Sequence, residues 1–172
     1  MKKFVFAAMM LLIGLVAFAQ EPPKEMKTSF SEAALNQIVY TPEGDSLSMK
    51  EVFRKHKGKV LVLDIWAGWC KDCIAVMQES KNLAAKYPKV KFIYLSLDRN
   101  DSAWHKAMDK YQLKGFANYW FKAGWKNDFT NDIELNWIPR YMVVDRRRKI
   151  KGYYFVHPTD AKFTELLDSL SR

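Results

Sequence analysis

The chain has 172 residues, enough for one domain once an N-terminal leader is set aside. Its formal charge of +9 is dispersed, apart from the run Arg146-Arg147-Arg148-Lys149, and two cysteines with three scattered histidines fall short of a closed four-ligand zinc site. At the N-terminus, Lys2 and Lys3 precede the apolar stretch Phe4 to Phe18, and Ala17-Phe18-Ala19 fits a small-x-small cleavage pattern, so residues 1–19 read as a secretory signal peptide. That stretch is shorter than the roughly 20 apolar residues a spanning helix needs, so no stable membrane anchor is expected after cleavage. Cleavage removes two positive charges and leaves +7 on the mature chain. An exported protein has little access to nucleic acid, and none is expected as a partner. Residues 20–27, with Pro22-Pro23, read as a flexible leader before a domain over 28–172.

Ile38-Val39-Tyr40 ends a moderately apolar stretch, followed by a Pro42-Glu43-Gly44-Asp45 turn and a short amphipathic helix from Ser48 to His56 that Gly58 closes. Val60 to Trp66 is nearly continuous in apolar residues, as in a central strand covered on both faces. From Cys73 to Tyr87 the spacing of Val76, Met77, Leu83 and Ala84 predicts one helix ended by Pro88. A second apolar strand, Val90 to Leu97, and a helix bearing Trp104, Ala107, Met108 and Tyr111 come next, with Asn100, Asp101 and Ser102 as candidate caps. Strand, helix, strand, helix in this order predicts parallel pairing with right-handed crossovers. The aromatic segment Gly115 to Asn136 is weakly periodic; its rings complete a core or line a substrate groove. Tyr141 to Val144 and Ile150 to Val156 read as an antiparallel hairpin across the basic run, which is then a solvated turn or an anion-binding surface. Thr159 is the expected cap of a last amphipathic helix carrying Phe163, Leu166, Leu167 and Leu170.

Chemistry concentrates in Trp66-Ala67-Gly68-Trp69-Cys70-Lys71-Asp72-Cys73. If a helix starts at the motif, unpaired N–H groups and the macrodipole favour a thiolate at Cys70, and Cys73 is one turn deeper, in reach of a mixed disulfide. Ile74 follows the second cysteine, which rules out haem attachment of the Cys-x-x-Cys-His kind. A structural disulfide is the alternative reading, although so short a loop constrains the unfolded chain little. Asp64 interrupts the apolar strand six residues before Cys70; buried there, its pKa would rise, and it could exchange a proton with a thiol. At a solvated strand edge it would do neither.

These residues resemble the thioredoxin superfamily, in particular its exported TlpA/ResA-like branch. The likeness rests on the strand with Asp64, on Trp69-Cys70-x-x-Cys73 at a helix start, and on Ile138-Pro139 before a hairpin and last helix; it covers about residues 28 to 172. It implies an α/β thioredoxin-like fold, a central mixed sheet flanked by helices, with an N-terminal β extension and an inserted segment. It further implies that Cys70 is the nucleophile and Cys73 the resolving thiol, assisted by the acid Asp64. Pro139 would be a cis-proline beside the disulfide, Ile138 would offer its backbone to an incoming strand, and Trp69 would cover the sulfurs. The activity implied is a periplasmic, or otherwise exported, protein thiol–disulfide oxidoreductase that reduces exported proteins, needs an upstream electron donor, and uses no metal or other cofactor. The chain departs from the family at Lys71-Asp72, where thioredoxin has Gly-Pro, and at Ile74-Ala75-Val76-Met77, where many branch members carry a glutamate. Lys71 favours a thiolate and Asp72 opposes it. Two other readings use the same groove: a partner-binding or copper-delivery module without turnover, for which His157 is the candidate extra ligand, and peroxide reduction.

Overall fold

The computed structural model describes residues 22, 23 and 25–171; the signal-peptide reading of 1–19 lies outside them. Val60 to Trp66 becomes β3 (Leu61–Trp66), every residue of which is buried, and it is an interior strand of a seven-stranded mixed sheet. The sheet also contains β1 (Ile38–Tyr40), β2 (Ser46–Ser48), β4 (Lys91–Ser96), β5 (Ala117–Trp120), β6 (Arg140–Val144) and β7 (Ile150–Phe155), in the order β2-β1-β5-β4-β3-β6-β7. β3, β4 and β5 run parallel, and β6 pairs antiparallel with both β3 and β7. β1 and β2 form the N-terminal hairpin extension, antiparallel to each other, with β1 pairing β5 through Tyr40 and Trp120.

The short helices α1 (Glu32–Asn36) and α2 (Met49–Lys55) belong to this N-terminal part; Ser48 and Glu51 close a reciprocal capping box on α2. Past β3 the chain enters α3 (Lys71–Ala75) and α4 (Met77–Lys86), two helices where the spacing predicted one. The joint is Val76, whose N–H bonds Ile74 O; two β-branched residues, Ile74 and Val76, flank the turn, and such side chains lose χ1 freedom in a helix. α5 (Asp101–Lys110) crosses from β4 to β5, capped by the Asn100 side chain, which accepts from Ala103 N–H. α7 (Ala161–Leu170) is capped by Asp160 rather than Thr159: the carboxylate accepts from Lys162 and Phe163 N–H, while the Thr159 hydroxyl is held at 2.8 Å from His157 Nδ1.

The aromatic segment divides. It supplies β5, unexpected from its weak periodicity, and α6 (Asp128–Asp132), and it buries Phe121 and Phe129 completely. Phe53, Phe30, Phe129 and Phe121 form one continuous run of ring contacts 5.2–5.6 Å apart, joining α2 and α6. On another side Phe163 of α7 lies against Tyr141 and Phe155, and Tyr87, just past α4, donates its hydroxyl to Asp168 of α7 at 2.6 Å. The leader's end is held as well: Lys27 pairs with Asp132 at 2.7 Å, and Ile150 N–H bonds Thr28 O. The basic run forms the β6–β7 turn, with Arg148 at φ 65°.

Candidate active site

Cys70 caps α3, at the end of β3 where parallel strands deliver their loops. It is joined to Cys73 by a disulfide, and its Sγ accepts the Cys73 N–H at 3.1 Å. Burial differs slightly between the two: Cys70 is 7% exposed and Cys73 2%. From the opposite side β6 brings its N-terminal loop, where the Ile138–Pro139 peptide bond is cis and Ile138 O lies 3.6 Å from Cys70 Sγ. Residues 68 apart in sequence thus meet at one sulfur.

The loop carrying the cysteine is held from beneath. Asp98, just past β4, is 2% exposed and accepts the Gly68 N–H at 3.0 and 3.2 Å through its two oxygens, with Ser96 Oγ donating at 2.8 Å. Burial pushes the Asp98 carboxyl up, and the hydrogen bonds from Ser96 and Gly68 pull it back. Gly68 has no room for a side chain: a Cβ there would sit 2.5 Å from Ala107 Cβ of α5.

Under the helix pair, Asp64 is 1% exposed, in the centre of β3 between Tyr94 of β4 and Tyr141 of β6. It is a core carboxyl and not a solvated edge residue. Ser80 of α4 donates to Asp64 Oδ2 at 2.7 Å, and Tyr94 OH lies 3.1 Å from the same Ser80 oxygen, so with Ser80's proton on Asp64 the tyrosine is the donor of the second bond. Asp64 Oδ1 has no hydrogen-bond partner. Burial raises the Asp64 pKa to about 7 against the pull of Ser80. Burial also pushes the Tyr94 and Tyr141 hydroxyls up, with Asp64's charge adding to the effect.

Trp69 is half exposed, at 51%, and forms a wall shared by two clefts. One, of about 210 Å3, is lined by Cys70, Ile138 and three tryptophans, Trp69, Trp125 and Trp137. The other, of about 500 Å3, runs along α5 from Gly68 to Tyr111. Trp137 and Trp125 were not among the expected site residues. Trp137 adjoins Ile138 and could have been singled out by that adjacency, whereas Trp125 reaches the cleft only through the course of the 115–136 segment. Ser80 gave no signal, because nothing in sequence aligns residue 80 with residue 64 across a helix break.

The first residue of β6 is Arg140, completely buried. Its Nη2 donates to Asn136 Oδ1 at 2.6 Å, bracketing Trp137, Ile138 and Pro139, and its guanidinium lies 4.0 Å from the centre of the Tyr154 ring. Burial lowers its pKa to about 10, with the two tyrosines Tyr154 and Tyr153 acting in the other direction.

A thioredoxin-like family model matches residues 58–150, more than half of the chain. The chain belongs to the thioredoxin-like family. Among curated relatives, the thiol-disulfide oxidoreductase ResA of Bacillus thuringiensis subsp. konkukian is 33% identical over 119 residues, which cover 65% of this chain. The match spans 66% of that relative's length, a little under two thirds. Among solved structures, a Bacteroides vulgatus protein described as a thiol-disulfide oxidoreductase superposes with a TM-score of 0.66 at 30% identity, covering 81% of this chain and 89% of its own. A thiol-disulfide oxidoreductase from Bacteroides fragilis shares the fold at 20% identity and TM-score 0.65, over 82% of this chain and 99% of its own. Among the described residues no helix is long and apolar enough to cross a membrane, and no group of three or more His, Cys, Asp or Glu is placed to hold a metal ion.

Proposed function

We propose that this protein is an exported thiol–disulfide oxidoreductase that reduces disulfides in other exported polypeptides. The observation that carries the reading is the Cys70–Cys73 disulfide at the start of α3, with Ile138 O facing Cys70 Sγ. Curated relatives named as oxidoreductases support it, and so does the signal-peptide pattern at residues 1–19.

In the working direction the reduced protein begins with Cys70 as thiolate, favoured by the Cys73 N–H and the first turn of α3. The thiolate attacks one sulfur of the substrate disulfide; a Cys70–substrate S–S bond forms, the substrate bond breaks, and the departing thiolate takes a proton. Cys73 then gives its proton to Asp64, whose pKa near 7 suits it to accept one at neutral pH, and attacks Cys70 Sγ. The mixed disulfide breaks, the second substrate sulfur leaves as a thiolate and takes a proton, and the protein has given up two electrons. An exported dithiol donor must return them before another cycle. Ile138, on the sheet side of the cleft, offers backbone groups to an extended substrate in the manner of an added strand, and Trp69 flanks it. The copper-delivery reading has less behind it: His157 is engaged by Thr159 and does not line the cleft at Cys70.

The test is trapping. Cys73→Ser in the reduced protein should accumulate mixed disulfides with a polypeptide disulfide substrate, and Cys70→Ser should accumulate none. Equal trapping by the two variants would remove the assigned roles, and absence of any substrate reduction by the native dithiol would remove the activity.

A further inference from the structure

We propose that the cleft on the α5 side of Trp69 receives the acidic flank of the substrate polypeptide, so that disulfides next to Asp or Glu are preferred. The proposal rests on the oxidoreductase reading and names the substrate class that this reading leaves open.

Trp69 connects the cleft to the chemistry, because it precedes Cys70 and is the wall common to both clefts. Charge then sets what the cleft can hold. Arg99, Lys106 and Lys110 line it, the two lysines with Ala103 and Ala107 at positions spaced three and four apart on one face of α5. All three cations are exposed, and among the described residues none is within ion-pair distance of a carboxylate. The neighbouring carboxylates are committed elsewhere: Asp101 to His105, Asp109 to Lys114, and Asp98, which also lines the cleft but is only 2% exposed, to Gly68 and Ser96.

Folding does not need this arrangement. Like charges at i and i+4 weaken a helix, and Lys106 with Lys110 is such a pair. Lys110 has a partial structural account, since it lies in the last turn of α5 and over the Tyr111 ring at 5.1 Å. Lys106 and Arg99 have none. A ligand carboxylate answers all three, and the polar floor is already fixed, with Trp120 Nε1 donating to Asp98 O at 2.8 Å. A cleft of about 500 Å3 accommodates several residues of an extended chain crossing from Cys70 past Trp69.

The experiment uses peptides of one sequence whose cysteine-flanking residues are Glu, Gln or Lys, each made both as a disulfide and as a redox-inert form with Ser for Cys. Binding of the inert peptides is followed by tryptophan fluorescence, and reduction of the disulfide peptides is followed by stopped flow. The Glu peptide should bind more tightly and react about tenfold faster than the Gln peptide at low ionic strength, with the advantage shrinking as salt is added. Lys106→Glu/Lys110→Glu should invert the order in favour of the Lys peptide, and Arg99→Glu, on a different element, should reduce the same preference. Equal binding of Glu and Gln peptides overturns the proposal. It is also overturned if peptides do not discriminate while phosphatidylglycerol vesicles bind in a Lys106- and Lys110-dependent way, which assigns the patch to a lipid surface. If the inert peptides discriminate as expected and no disulfide peptide is reduced, the acidic-segment surface stands and the oxidoreductase reading falls.

Discussion

On one side of the disulfide, Cys70 lines a cleft walled by Trp69, Trp125 and Trp137; on the other, Cys73 is buried in the core, where Asp64, Ser80 and Tyr94 form a buried hydrogen-bonded chain. The open side presents the exposed rings of Trp69 and Trp137, suited to holding a polypeptide. The closed side is a carboxyl kept near neutrality by burial, suited to moving a proton without admitting water. One short helix serves both because Cys70 is its N-cap, lining the cleft, and Cys73 its third residue, buried in the core. The comparison teaches that recognition and proton handling can be perturbed separately here.

The largest separation should come from Asp64→Asn. Between the ordinary carboxyl value of 3.8 and about 7, the folded protein holds a proton on Asp64 that the unfolded chain has released. This group's contribution is therefore fully present below pH 3.8 and is lost as pH rises through about 7. The three-unit gap corresponds to about 4 kcal/mol, so the amide variant should gain roughly that much stability relative to the native protein between pH 4 and 8. Denaturant unfolding at those two pH values measures it; parallel pH profiles for the two proteins would mean that Asp64 is ionised and satisfied throughout. The same variant should slow resolution of the mixed disulfide near pH 7 while leaving the attack by Cys70 alone.

Next is the support of the cysteine loop. Gly68→Ala places a Cβ against Ala107 and should cost about 1–3 kcal/mol, as overpacking does. Unlike Asp64→Asn it should act on the attack step, because Gly68 N–H holds the loop on Asp98. Adding Ala107→Gly should return part of both losses, and a double variant no better than the single one would show that the contact is not the cause.

How much of this was written in the sequence differs between the two sides. The strand with Asp64, the Cys-x-x-Cys helix start and the β6–β7 hairpin were legible because each is local: an apolar run, a short motif, two strands across a tight turn. β5 was hidden because Ala117–Trp120 is buried between β4 and β1 and carries no alternation. Ser80 and Asp98 were hidden for a related reason. Their importance lies in contacts 16 and 30 residues away, fixed by where helices cross the sheet and not by any spacing along the chain. Trp125 is split from the other aromatic residues of its stretch only by the path the folded segment takes.

Ser80→Ala tests the closed side more gently. Removing a hydroxyl that donates to Asp64 Oδ2 takes away the one interaction that lowers its pKa, so the midpoint of the pH dependence of resolution should move upward by roughly one unit. Single-turnover kinetics of the release step across pH 5–9 read this, where the pH range is simply about two units on either side of the expected midpoint. A downward or absent movement would detach Ser80 from the proton path. Attack by Cys70, measured in the same experiment from the rise of the mixed disulfide, should keep its profile.

The smallest effect belongs to the open side and concerns Trp137. Its ring is 47% exposed beside Ile138, and exposed rings of this size are scarce among the described residues, where only Met26, Ile38 and Trp69 are comparable large apolar side chains. Solvent contact on so much apolar surface is explained if a substrate chain covers it during each cycle. Trp137→Ala should then raise KM for a polypeptide disulfide about threefold to tenfold, the equivalent of roughly 0.6–1.4 kcal/mol of lost aromatic contact, with kcat nearly unchanged. A small disulfide such as cystine, which presents no chain to the ring, should react as before. The split between substrates is what matters: a fall in kcat for both would place Trp137 with the groups that hold the Ile138 backbone against Cys70, through the Asn136–Arg140 bracket that encloses it, and would move it from recognition to the geometry of the reacting sulfur.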